Sequence, residues 1–116
     1  MLFVQYPKCS TCQKAKKWLE AHEIMFTERH IVEDHPAYDE LKQWYEKSGL
    51  PLKRFFNTSG MVYRDMQLKD KLPDMSEEEQ LKLLASNGML VKRPLIIDDH
   101  NVLTGFKEKE WEEKLL

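Results

Sequence analysis

The chain has 116 residues, of which 41% are hydrophobic and 33% are charged, and its formal net charge is −2. This length and balance predict one compact globular domain and exclude a disordered or fibrous chain. Charges of both signs are interspersed, so nothing predicts direct binding to nucleic acid. No apolar run is long enough for a membrane span or a signal peptide, so we expect a cytoplasmic protein without membrane contact. Nothing in the sequence demands more than a monomer.

The first predicted elements are a strand, a helix and a second strand. Residues 2–6 are rich in β-forming side chains and end at Pro7, which predicts a short buried strand. Residues 11–22 carry apolar side chains at helical spacing and predict a helix. Alternation of side-chain type in residues 24–29 predicts the second strand. The order is that of a βαβ unit.

The middle of the chain is predicted to be helical. Tyr38, Leu41 and Trp44 share one helical face, and Gly49 supplies a stop. Shorter helices are expected at residues 52–56 and 63–71. Ser76 and Glu79 have the spacing of a capping box, which predicts a further helix to about residue 85.

The last predicted elements are a β-hairpin and a helix. Residues 94–98 and 102–104 are expected to be its strands, and residues 108–115 the closing helix. A βαβ unit, then helices, then a hairpin and a helix is the order of a thioredoxin-like α/β fold. We therefore predict one thioredoxin-like domain over residues 1–116, with an inserted helical lobe at about residues 37–88.

The two cysteines of the chain lie three residues apart, at the predicted junction of the first strand and helix. A thiol at a helix start is stabilised as a thiolate by the helix dipole and by free backbone N–H groups. Cys9 is therefore the predicted nucleophile, and Cys12, one turn later, the predicted resolving thiol. Lys8 adds positive charge, and Ser10 and Thr11 offer hydroxyl groups to the sulfur or to a substrate.

Two other interpretations of the cysteine pair stay open at this point. Cys9 and Cys12 have zinc-ligand spacing, and His30 and His35 follow downstream. A complete predicted helix and strand separate these pairs, which a zinc finger lacks, so we expect no metal. The second alternative is a pair of inert, buried cysteines. No Gly-rich loop predicts a nucleotide, and we expect no cofactor.

Arg93 and Pro94 stand immediately before the first hairpin strand. A thioredoxin-like fold places a cis-proline here, facing the cysteine motif. Arg93 would then point toward Cys9, where a guanidinium stabilises a thiolate and binds an anionic substrate. The alternative is an ordinary trans-proline beside a solvated arginine.

Three segments resemble the ArsC/Spx family, which includes arsenate reductases and Spx-type transcription regulators. They are residues 6–12 (Tyr-Pro-Lys-Cys-Ser-Thr-Cys), 56–60 (Phe-Asn-Thr-Ser-Gly) and 93–98 (Arg-Pro-Leu-Ile-Ile-Asp). The resemblance implies that Cys9 corresponds to the nucleophilic cysteine of the arsenate reductases. It also implies that Arg93 corresponds to one of the three arginines that hold the oxyanion in those enzymes. The segments at Asn57 and Thr104, where the other two arginines would lie, have none. The arsenate reductases usually lack a second cysteine at the position of Cys12, whereas the Spx-type regulators have one.

The sequence thus predicts a thiol–disulfide oxidoreductase resembling arsenate reductases, with a thiol reductant as partner: thioredoxin, glutaredoxin or a low-molecular-weight thiol. One alternative is an Spx-like regulator whose Cys9–Cys12 disulfide switches binding to the RNA polymerase α subunit. In those regulators the binding surface has a glycine and an arginine where this chain has Pro51 and Ser59. A second alternative is a glutaredoxin- or thioredoxin-coupled arsenate reductase.

Overall fold

The computed structural model describes residues 1–116 and contains one four-stranded sheet. The strands are β1 (Leu2–Gln5), β2 (Thr27–His30), β3 (Leu95–Ile97) and β4 (Val102–Thr104), in the spatial order β2-β1-β3-β4. β1 is parallel to β2 and antiparallel to β3, and β3 and β4 form an antiparallel hairpin. The parallel pair needs a crossover connection, which the first helix supplies.

Six α-helices accompany the sheet: α1 (Ser10–Ala21), α2 (Tyr38–Ser48), α3 (Met61–Asp65), α4 (Leu68–Lys71), α5 (Glu77–Ser86) and α6 (Glu108–Leu115). Short 3-10 helices cover Leu52–Phe55, Leu72–Asp74 and Gly88–Leu90. No helix reaches the length and apolarity that crossing a membrane requires.

The two faces of the sheet are covered by different helices. Neighbouring strand residues point to opposite faces, so Phe3 joins one hydrophobic cluster and Val4 the other. On the Phe3 face, Trp18 of α1 and Trp111 of α6 pack edge to face with their ring centroids 5.7 Å apart. On the Val4 face lie the helices from α2 to α5 and the 3-10 helices among them. These helices form the lobe that the sequence predicted, and the thioredoxin-like fold is confirmed.

Most predicted boundaries agree with the structure to within one residue, and two predicted elements differ by more than that. The second strand begins at Thr27 rather than at residue 24, because Ile24 and Phe26 pack into the cluster around Trp18 before pairing starts. The predicted helix at 63–71 is two helices, α3 and α4. Gln67 separates them with a left-handed backbone, φ 55° and ψ 40°, which no regular helix contains.

Candidate functional site

Cys9 occupies the turn that joins β1 to α1. Its N–H donates to the Tyr6 carbonyl at 3.0 Å, and its own carbonyl accepts from Gln13 N–H at 3.0 Å as the first bond of the helix. Its extended backbone makes it the N-cap residue of α1. A serine or asparagine at this position would cap the helix with its oxygen. Here the position carries a thiol, which makes no capping hydrogen bond but has helix N–H groups near its sulfur that favour the thiolate.

The surroundings of Cys9 favour its thiolate. Partial burial raises the pKa of the thiol, but four groups outweigh it: the backbone N–H of Cys12, the Cys12 thiol, the backbone N–H of Thr11 and the Arg93 guanidinium. The net result is a pKa below the ordinary value for Cys9. Two of these groups are the free N–H groups that any helix start presents, which is the cause that the sequence suggested.

Cys12 is in a different environment one turn further along α1. Its side chain is fully buried, and both cysteines are free thiols in this structure. Burial raises the pKa of Cys12, and so do the hydrogen bond to Cys9 and the charge of the Cys9 thiolate. The Tyr6 N–H and Arg93 oppose the rise, and the resulting pKa is about 12. At neutral pH the structure therefore holds an activated thiol beside a protonated one.

Arg93 and Pro94 face this pair from the start of β3. The Arg93–Pro94 peptide bond is cis, as the thioredoxin-like plan predicted. The guanidinium of Arg93 lies 5.1 Å from the centre of the Tyr6 ring and donates to the Met89 carbonyl at 3.4 Å. These contacts hold the positive charge near Cys9.

A polar cavity of about 410 Å³ opens beside Cys9. It brings together Cys9, Thr11 and Arg93 from the predicted site. Ser10 is exposed and Pro94 is buried, and neither lines this cavity. Lys8 is exposed and does not line it either.

His30, one of the two histidines of the zinc interpretation, does not line the cavity beside Cys9. Nδ1 of His30 accepts the N–H groups of Val32 and Glu33 at 3.1 and 3.0 Å. His30 borders a different groove, which Cys12 also lines but Cys9 does not. No group of three or more His, Cys, Asp and Glu side chains lies close enough together to hold a metal ion.

A model of the ArsC family matches residues 4–114. This chain belongs to the ArsC family. The proteins similar to this chain are described in more than one role, as a possible arsenate reductase and as a transcriptional regulator among others.

Three of these similar proteins illustrate the range. A crystal structure of an ArsC family related protein from Bacteroides fragilis is 61% identical, with a TM-score of 0.94, over 97% of this chain and 94% of that one. A structure described as a possible arsenate reductase from Streptococcus mutans is 42% identical, with a TM-score of 0.87, over 96% of both chains. The global transcriptional regulator Spx of Staphylococcus epidermidis is 32% identical over 90% of this chain and 78% of its own length.

The cavity also contains cations that the sequence analysis did not single out. Arg54, Lys92 and Lys107 line it together with Arg93, and no acidic side chain does. None of these four groups takes part in an ion pair within the protein. The positive charge at this ArsC-family site is therefore larger than the single counterpart arginine indicated.

A signal for two of these cations was present in the sequence. Arg54 lies three residues before Asn57, and Lys107 lies three residues after Thr104. Asn57 and Thr104 mark the segments where the resemblance placed the two missing arginines, and both line the cavity. A long cationic side chain three residues away can reach the same cavity. A search of the residues near each expected arginine position would therefore have found both Arg54 and Lys107.

Proposed function

We propose that this protein is a thiol–disulfide oxidoreductase related to arsenate reductases, in which Cys9 is the nucleophile and Cys12 the resolving thiol. The observation that carries the proposal is the contrast within one pair: the pKa of Cys9 lies below its ordinary value, whereas that of Cys12 is raised to about 12. Two inert, buried cysteines would both have raised pKa values, because burial disfavours the thiolate.

The reaction proceeds by two exchanges. The Cys9 thiolate attacks one sulfur of a disulfide, a new S–S bond forms, and the other half leaves as a thiolate. Cys12 then loses its proton and attacks the Cys9 sulfur, which releases the second half as a thiolate. The substrate gains two electrons, and the protein keeps a Cys9–Cys12 disulfide. An external thiol reductant, such as thioredoxin, glutaredoxin or a low-molecular-weight thiol, restores the pair.

The environment of Cys12 sets the order of the two steps. The Cys9 sulfur is one reason, after burial, why the pKa of Cys12 is high. Once Cys9 is held in a mixed disulfide, its negative charge is gone, while Arg93 and the Tyr6 N–H still favour the Cys12 thiolate. Formation of the intermediate therefore lowers the pKa of Cys12, although its burial remains.

The test is the stoichiometry of a single turnover. Reduced protein is mixed with a small symmetric disulfide, and the products are followed by intact mass and released thiol. We expect the wild type to release two thiols and lose two hydrogens. Cys12→Ser should release one thiol and keep an adduct on Cys9. Cys9→Ser should form no adduct at a rate comparable with that of Cys12→Ser. A wild type that stops at a stable adduct would overturn the resolving role of Cys12.

A second candidate is an Spx-like regulator, which the 32% identity to Spx and the shared Cys-x-x-Cys motif favour. In that case the Cys9–Cys12 disulfide is a stable signal rather than an intermediate. Capture of the purified RNA polymerase α subunit by the oxidised and the reduced protein separates the two. Binding that changes with redox state supports the regulator, and no binding in either state excludes it.

A third candidate is an arsenate reductase coupled to glutaredoxin or thioredoxin. The four cations around Cys9 favour it, because they offer an oxyanion more positive charge than Arg93 alone. Arsenate-dependent consumption of reductant, in the presence of glutathione with glutaredoxin or of thioredoxin, is the measurement. Failure to turn over arsenate with any of these reductants rejects this candidate.

A further inference from the structure

Thr104, at the end of β4, carries a buried hydroxyl group with no partner in the protein. The residue is 3% exposed, and its Oγ1 is one of two buried side-chain polar atoms without a hydrogen bond, the other being the Trp18 indole nitrogen. A buried hydroxyl that finds no partner destabilises a protein. Thr104 is also one of the residues that line the cavity beside Cys9.

The backbone holds this residue firmly in place. Thr104 is the register partner of Leu95, next to the cis-proline. The following residue, Gly105, has φ 75°; its N–H donates to the Pro94 carbonyl at 2.8 Å, and its carbonyl accepts from the Trp111 indole at 3.2 Å. The backbone of Thr104 is therefore fixed with respect to Pro94 and the start of β3.

The Cys9 sulfur is not the partner of this hydroxyl. The groups that lower the pKa of Cys9 are two backbone N–H groups, the Cys12 thiol and Arg93, and Thr104 is not among them. The cavity that Thr104 lines is also lined by cations without acidic partners. The Lys92 side chain approaches closely enough that a Cβ added to Gly105 would lie 3.8 Å from Nζ, and Arg54 and Lys107 line the same cavity.

We propose that the Thr104 hydroxyl donates a hydrogen bond to an anionic oxygen of the substrate, with Arg54, Lys92 and Lys107 supplying the opposite charge. Thr104 is then a specificity-determining residue, and the substrate is a small disulfide that carries carboxylate groups. This rests on the proposed function for the identity of the reacting bond. The site fits a small molecule because it is a concave, polar cavity.

The test uses the Cys12→Ser protein, in which exchange stops after one step, and three symmetric disulfides of different charge. In each, the Cys9 thiolate attacks one sulfur, forms a mixed disulfide and releases the other half as a thiolate. We expect anionic dithiodiglycolate to react faster than neutral hydroxyethyl disulfide, and cationic cystamine to react slowest. An unassisted thiolate gives the opposite order, because it repels the anion. The expected order should weaken with added salt.

Substitutions at Thr104 then isolate the hydroxyl. Thr104→Val keeps the shape and removes the oxygen, and it should slow the reaction with dithiodiglycolate by about tenfold or more relative to the reaction with hydroxyethyl disulfide. Thr104→Ser is the matched control and should retain the preference. Thr104→Val should also keep or raise the thermal stability of the ligand-free protein, because it removes an unpartnered buried group. Equal slowing of all three disulfides would overturn the proposal.

A separate measurement distinguishes this inference from the proposed function. Thiodiglycolate has the carboxylates but no disulfide bond, and it should protect Cys9 from alkylation by neutral iodoacetamide, in wild type and Thr104→Ser but not in Thr104→Val. Protection without any disulfide exchange would leave the anion site standing and reject the oxidoreductase. Exchange with hydroxyethyl disulfide but no protection by thiodiglycolate would reject the anion site and leave the oxidoreductase standing.

Discussion

Selective modification of Cys9 over Cys12 in the wild-type protein follows from the structure and can be given a magnitude. With its pKa at about 12, Cys12 is a thiolate in roughly one molecule in 100,000 at pH 7. A thiol with the ordinary pKa of 9.0 is a thiolate in about 1% of molecules at pH 7, and the pKa of Cys9 is lowered from that ordinary value. The ratio of thiolates is at least about 1,000, and the weaker nucleophilicity of the more acidic thiolate reduces it by roughly 20- to 30-fold. A preference of at least about 30-fold for Cys9 remains.

The assay is labelling of the reduced wild type with less than one equivalent of iodoacetamide at pH 7, followed by peptide mass spectrometry. The complete burial of Cys12 adds to the preference, so 30-fold is a lower bound. Unfolding the protein in denaturant is the control, because it removes both environments and should make the two thiols nearly equal. Comparable labelling of Cys9 and Cys12 in the folded protein would refute the argument.

Three further predictions concern the pKa of Cys9, the pKa of Cys12 and the ion pair between Arg29 and Glu40. Burial raises the pKa of Cys9 and the Arg93 guanidinium helps to lower it, so Arg93→Met should raise that pKa, as measured by thiolate absorbance against pH. Cys9→Ser removes the sulfur that helps burial to raise the pKa of Cys12, so the same titration should find Cys12 below 12. Glu40 accepts from Arg29 at 2.6 Å, which lowers the pKa of Glu40 from 4.5 to about 2. This pair stabilises the fold above pH 4.5 and is lost as the pH falls toward 2; Glu40→Gln should therefore cost about 1 kcal/mol in urea unfolding at pH 7, and less in acid.

The order of elements could be predicted from sequence because each strong signal was local. Ser76 and Glu79 form the capping box that their spacing indicated: the Ser76 Oγ accepts from Glu79 N–H at 3.1 Å, and the Glu79 carboxylate accepts from Ser76 N–H at 3.2 Å. Gly49 ends α2 with φ 67°, as a glycine after a helix does. The break at Gln67 had no such signal, because no glycine or proline marks it.

The site was only partly predictable, since its residues come from distant parts of the chain. Cys9 and Arg93 could be placed together by the fold plan, which brings the start of α1 to the start of β3. Arg54 and Lys107 each lie three residues from a position where an arginine was expected, but that spacing brings them to the cavity only because a 3-10 helix and the segment after β4 turn toward it. The unpartnered state of Thr104 is likewise a property of packing that emerges only in three dimensions.

The most direct test of the account is the pKa of Cys9 in Cys12→Ser, taken from thiolate absorbance against pH. The serine hydroxyl retains a polar group beside the sulfur, and the two N–H groups and Arg93 remain. The account predicts a pKa below about 8.5, the value of a free cysteine. A value at or above that reference would mean that the start of α1 does not activate the thiol, and it would contradict the role of Cys9 as nucleophile.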